Sequence, residues 1–153
     1  MKYELANETK TVGNVTLHRI KALKSFGSVE KGDLGGWIER ESNLSQEDNA
    51  WVSGDAWVFG DAWVFGDAQV SGDAQVSGDA WVFGDAWVFG DARVYDKARV
   101  FGYAQVSGDA QVSGDARVYD NAQVYETEEP VSLPKSDTLS IGGKKYRLVE
   151  ITD

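Results

Sequence analysis

Hydrophobic and polar positions recur every six residues through the middle of the chain. Val stands at every sixth position from Val52 to Val124, and Ala at every sixth from Ala50 to Ala122, with no break in either register. A helix turns every 3.6 residues, so this spacing would walk the Val residues around its surface and leave no apolar stripe. The Gly found in most units would add a cost of about 1 kcal/mol each time in a helix. In a strand, side chains alternate from face to face. Within Ala62-Trp63-Val64-Phe65, Ala and Val share one face and Trp and Phe the other; Gly66-Asp67 interrupts, and the motif restarts. Each unit is one short strand followed by one corner.

Reversing the chain at every corner would leave an unusually narrow ribbon. Turning about a third of a circle at each corner closes a triangular coil from three units. The chain is therefore predicted to be all-β, a single-stranded triangular β-solenoid with 18 residues per coil, each coil stacked in parallel about 4.8 Å above the last. Val and Ala point inward, and a larger residue at the Ala position would overfill so narrow a prism. Corner Gly supplies conformations that strain other residues. Ile38 and Leu44 extend the register upstream, with Ser42 at the Ala position, and the eight-residue step from Leu44 to Val52 implies a two-residue bulge within SQEDN. About fifteen units, or five coils, then occupy residues 38–127, spanning roughly 24 Å.

The ends need other chemistry, because an open coil exposes its interior and unpaired backbone groups. Residues 1–37 are expected to form an N-terminal β cap, with VTLHRIKAL in a strand or hairpin over the first coil; a short helix at 18–26 is the alternative. Pro130 and Pro134 end the repeat. Residues 128–153 are expected to cap the other end through a hairpin around Gly142-Gly143, with Leu139, Ile141, Tyr146, Leu148 and Ile151 toward the last coil.

Folding the repeat at 18 residues sorts the outward positions into three faces. The first carries Trp51, Gln69, Trp87, Gln105 and Gln123 before Val, and Ser53, Ser71, Phe89, Ser107 and Tyr125 after it. The second carries Trp57, Gln75, Arg93 and Gln111, then Phe59, Ser77, Tyr95 and Ser113. The third carries Trp63, Trp81, Arg99 and Arg117, then an unbroken aromatic series, Phe65, Phe83, Phe101 and Tyr119. Stacked rings of this kind stabilise a sheet laterally by about 0.5–1.5 kcal/mol per pair. A flat exposed apolar strip also tends to contact something. These eight residues are the candidate interaction face, with a second copy of the chain or another protein as the expected partner.

Composition narrows the chemistry. Fifteen Lys and Arg against 25 Asp and Glu leave a formal charge of -10. That argues against a nucleic-acid binder, which needs positive surface to displace counterions, and against docking on anionic membranes. With no Cys and a single His, His18, there is no thiolate site, disulfide or multi-histidine metal site. No signal peptide or spanning segment is evident, so the expected location is the cytoplasm. Asp recurs at the corners, among them Asp55, Asp61, Asp67, Asp73, Asp79, Asp85 and Asp91. The expected role is local capping of backbone N–H groups. Cation binding between coils is the alternative, but glycine-rich calcium repeats have a nine-residue period. No metal or cofactor is expected.

The pairing of an aliphatic residue with a small one four positions on, from Val52 and Ala56 to Val118 and Ala122, resembles the hexapeptide-repeat left-handed β-helix family. Left-handed winding is what that resemblance implies; the period does not determine it. Many members are trimeric acyltransferases with a histidine base on the coil, and here the coil has no histidine and no protruding loop between residues 50 and 126. The segment GDLGGWIERESNLSQEDNAWV, with SIGGKKYRLVEI near the end, resembles small, poorly characterised bacterial and phage-borne solenoid proteins, which implies such an origin and no particular activity. Near-identical WVFGDA units are compatible with recent duplication or deliberate engineering. His18 lies in an alternating cap segment, and the coil Ser residues have no base beside them, which a nucleophile requires. The expectation is a non-catalytic structural or protein-interaction module that self-associates. The alternative is a carbohydrate-binding module using exposed Trp residues such as Trp63 and Trp81.

Overall fold

The computed structural model describes residues 1–125 and, by backbone alone, the antiparallel strands Thr138–Ile141 and Lys144–Arg147. The expected turn at Gly142-Gly143 and the capping side chains of residues 128–153 lie outside the described residues.

The chain is all-β among the described residues, a parallel β-solenoid of about five stacked coils. Each hexad contributes a two-residue strand, as at Trp63–Val64 and Trp81–Val82. Val64 pairs with Val82, and Val82 with Val100, in parallel and in register. Residues eighteen apart therefore lie one above another. The three faces are three sheets, running Trp51, Gln69, Trp87, Gln105, Gln123; Trp57, Gln75, Arg93, Gln111; and Trp63, Trp81, Arg99, Arg117 at their first strand positions. Every repeat Val and Ala is buried. The backbone ladder accounts for the lateral cohesion: Trp63 N–H donates to the Ala80 carbonyl at 3.0 Å, Phe65 to Val82 at 3.0 Å and Asp67 to Gly84 at 2.8 Å.

Corners close by backbone alone. Ala86 N–H donates to the Phe83 carbonyl at 3.3 Å across Gly84-Asp85. Gly84 has φ +66°, and positive φ at only the first central position is the pattern of a type II′ turn. The expectation that corner carboxylates cap their own turns fails among the described residues. Within the coil, Glu39, Asp48 and Asp96 do accept backbone N–H groups, each from a glycine of the next coil: Gly60 and Gly66 at 2.8 Å, and Gly114 at 3.0 Å. A short side chain standing at or beside the Gly position reaches the coil above, whereas one placed a residue later points to solvent. The Gly60 N–H, aided by Arg40 and against the cost of burial, holds the Glu39 carboxyl below its ordinary pKa.

At the N-terminal end, β1 (Tyr3–Val12) and β2 (Val15–Ala22) form an antiparallel hairpin, so the helix alternative at 18–26 does not occur. β2 pairs antiparallel with β3 (Leu34–Ile38), which pairs in parallel with Trp57–Val58. The hairpin thus extends the sheet of the second face. Gly35 permits this junction: a Cβ there would stand 2.6 Å from Ile20 Cγ1 and 2.7 Å from Trp51 Cζ2. Ile38 faces Val58, Leu44 bridges to Val64 and Val52 pairs with Val70, so the two extra residues do lie between Leu44 and Val52. Ser42 does not take the Ala position. It is exposed on a 3-10 turn, Glu41–Asn43, and the buried residue is Asn43. Trp51 also departs from expectation: Phe26 and Tyr3 pack edge-on against it, and it is buried.

A candidate interface on the third face

The third face begins with its strands. In-register stacking leaves the residue after Val projecting at one column, and this chain places an aromatic ring at each of four successive rungs. The Phe65 and Phe83 centroids are 4.8 Å apart with planes 4° from parallel, Phe83 and Phe101 are 4.9 Å apart at 6°, and Phe101 and Tyr119 are 5.4 Å apart at 13°. The sheet spacing imposes this offset stack; each ring shields its neighbours, and the three Phe rings are only half-buried.

The second column is mixed. Trp63 stacks on Phe65 at 3.8 Å and meets Trp81 edge-on at 5.6 Å. The Arg99 guanidinium lies 4.2 Å from the Trp81 ring centre, a cation–π contact. Arg99 Nη1 also donates to the Lys97 carbonyl at 2.9 Å and the Asp79 carbonyl at 3.1 Å, which fixes the side chain along the face. Arg117 is exposed and has no ion-pair partner among the described residues. Trp63, Trp81 and Tyr119 remain more than a third exposed. All eight candidate residues therefore share one flat face.

Sequence reasoning missed what closes this face at its N-terminal end. An open groove of about 750 Å³ is lined by Trp63 and Trp81 together with Glu41, Glu47 and Asp61. Its wall, the bulged first coil, is anchored from behind. Asn43 Nδ2 donates to the Ala62 carbonyl at 2.8 Å, and Asn43 Oδ1 accepts the Arg40 N–H at 2.9 Å. The Tyr3 hydroxyl donates to the Leu44 carbonyl at 2.7 Å, and Gln46 Oε1 accepts the Lys2 N–H at 2.8 Å. Lys2 Nζ donates to the Ala50 carbonyl at 2.6 Å and the Asp48 carbonyl at 2.8 Å. Burial pushes the Lys2 ammonium down to about 8, against the pull of Asp48, and raises the Tyr3 phenol. The Tyr3 and Lys2 contacts span more than forty residues, so no local pattern announces them; the departure of SQEDN from the hexad was the one visible signal.

A second recess, about 490 Å³, is lined by Trp87, Tyr103, Gln105, Asn121, Gln123 and Asp85. Among the described residues there is no grouping of three or more His, Cys, Asp or Glu suited to a metal ion, and no helix long and apolar enough to cross a membrane.

The YdcK β-solenoid repeat family model matches residues 68–82, 74–90, 92–108 and 110–126. Over 59 residues the chain is 41% identical to a protein of Escherichia coli (strain K12) named uncharacterized acetyltransferase YdcK, covering 33% of this chain and 18% of that protein. The match thus spans less than a fifth of that relative. Both similarities agree with the solenoid repeat.

Proposed function

We propose that this chain is a non-catalytic interaction module that self-associates through its third face. One observation carries the reading: four stacked rings, flanked by partly exposed Trp63 and Trp81, form a flat apolar strip on a rigid sheet. Contiguous exposed apolar strips of this size are often functional surfaces. The resemblance of the Val–Ala pattern to the hexapeptide-repeat family further supports a left-handed coil as the scaffold. The relative's name raises acetyl transfer, but the single His of this chain, His18, sits on β2 of the cap, paired with Ile38 at the start of the coil, and would need a partner to act as a base there. Turnover of acetyl-CoA with an amine acceptor would overturn the non-catalytic reading.

The test of the interface is a sedimentation series with Phe83→Asp. Association of the wild type that this variant abolishes, with an unchanged β-type circular dichroism spectrum, supports the proposal; a wild type that stays monomeric throughout refutes it. A second reading, carbohydrate binding, gains support from the amide-lined recess at Trp87, whose ring is half exposed. Glycan-induced change in Trp fluorescence, lost in Trp87→Ala but retained in Trp63→Ala, would favour it.

A further inference from the structure

The two ends of the third face are chemical complements. At one end Trp63 and the exposed carboxylates of Glu41 and Glu47 line a groove, and neither carboxylate has an ion-pair partner among the described residues. At the other end Arg117 projects from the same column, unpaired in the same sense. Within the chain the face already joins these chemistries once, where Arg99 covers Trp81. Among the described residues Trp63 has no such cation and Arg117 no such ring.

We propose that two copies pair face to face with antiparallel coil axes, about a two-fold axis between the Phe83 and Phe101 rungs, so that Arg117 of each copy enters the Trp63–Glu41–Glu47 groove of the other. This rests on the self-association reading and specifies its geometry. A two-fold axis lying in the interface and perpendicular to the coil reverses rung order but keeps each column opposite itself. Phe65 then meets Tyr119 of the second copy and Phe83 meets Phe101, so all four rings are covered. The same operation sets Arg117 opposite Trp63 in the other column. A parallel pairing would instead bring Arg99 and Arg117 of both copies to one end and the carboxylates of both to the other, and like-charge juxtaposition of that kind suppresses association. The contact is isologous and closes on itself.

The face is small. Four strand residues by five rungs cover roughly 13 Å by 20–24 Å. Burying about 300 Å² on each copy, about 600 Å² in total, falls well below the roughly 1,200 Å² total of stable complexes, so the dimer is weak and reversible. Sedimentation equilibrium from roughly 20 µM to 1 mM is the suitable range.

The test uses Arg117→Glu, the pair Glu41→Arg with Glu47→Arg, and an equimolar mixture of the two variant proteins, with circular dichroism as the folding check. Each variant alone should associate at least about fivefold more weakly than the wild type. The mixture should regain association, because each copy then meets an opposite charge at both contacts. Mixing wild type with Arg117→Glu should not restore association; if it does, the axes are parallel and the proposal falls. Wild-type association that Phe83→Asp abolishes and the charge reversals leave unchanged removes this geometry while sparing the face. A wild type with no association up to about 1 mM removes both.

Discussion

Gly84→Ala puts a methyl group into a close approach that the coil repeats at its corners. The ideal Cβ would stand 2.9 Å from the Gly102 nitrogen and 3.2 Å from its carbonyl oxygen, both backbone atoms of the next coil. Neither can swing aside without opening the sheet spacing. Overpacking of this kind costs about 1–3 kcal/mol. The corner φ of +66° adds about 1 kcal/mol for a residue with a Cβ. The expected loss is about 2–4 kcal/mol. Gly84→Asp is the informative comparison, because the chain already uses Asp in this register. Asp96 holds φ +59°, and its Oδ2 accepts the N–H of Gly114 in the coil above at 3.0 Å. A carboxylate at 84 would find the Gly102 N–H in the equivalent place, and a charge-assisted bond offsets strain by about 1–2 kcal/mol. Added repulsion from Asp85 costs under about 1 kcal/mol in water. The larger substitution is therefore expected to be the milder one. Urea unfolding followed by circular dichroism gives both midpoints. If Gly84→Ala proves as stable as Gly84→Asp, the corner is not held by close approach to the next coil, and the reasoning is wrong.

Core and terminal substitutions test other links. Val82→Ala should cost about 1–3 kcal/mol through lost packing, while Val82→Asp should unfold the central coils by burying an unpaired charge; indistinguishable urea midpoints would contradict an inward Val82. Lys2 gives a pH dependence. Its folded pKa of about 8 lies below the unfolded value of 10.5, so between these values the unfolded chain binds more protons and stability rises with pH. Relative to Lys2→Met, the wild type should gain up to about 3 kcal/mol from pH 8 toward pH 10.5 and nothing below pH 8. Above about pH 10 the raised Tyr3 phenol lowers the stability of both proteins alike, because the unfolded phenol releases its proton first. A flat difference across the window would show that Lys2 is not desolvated by folding.

Legibility in the sequence follows the range of the interactions. The hexad is local and repeated thirteen times, so one reading of Ala62-Trp63-Val64-Phe65 placed every repeat Val and Ala inward and sorted all three faces. The aromatic column followed once coils of eighteen residues were assumed, because stacking is a consequence of register. The N-terminal end resisted, since its contacts are made once. Tyr3 and Lys2 find their partners at the carbonyls of Leu44 and Ala50, and nothing in the hexad itself marks those carbonyls as open to a cap residue more than forty positions away. Trp51 sits at an outward position of the repeat, yet Phe26 covers it from a segment with no repeat. The corner Asp residues misled for a different reason. Asp commonly caps its own turn, but these turns close by backbone, as with Ala86 N–H, and the carboxylate that does accept an N–H, Asp96 one position earlier in the register, takes it from Gly114 of the next coil. The groove at Trp63 combines both cases, with a repeat residue on its floor and singular carboxylates on its rim.

Superposition of residues eighteen apart underlies all of this, and the absence of Cys from the chain makes it directly measurable. Nitroxides attached through Ser53→Cys and Ser71→Cys should sit one strand spacing apart, about 4.8 Å, and give strong spin-exchange broadening in frozen solution. Labels on Ser53→Cys and Ser77→Cys, which occupy different faces, should not. Broadening in the second pair and none in the first would mean that three hexads do not complete a coil.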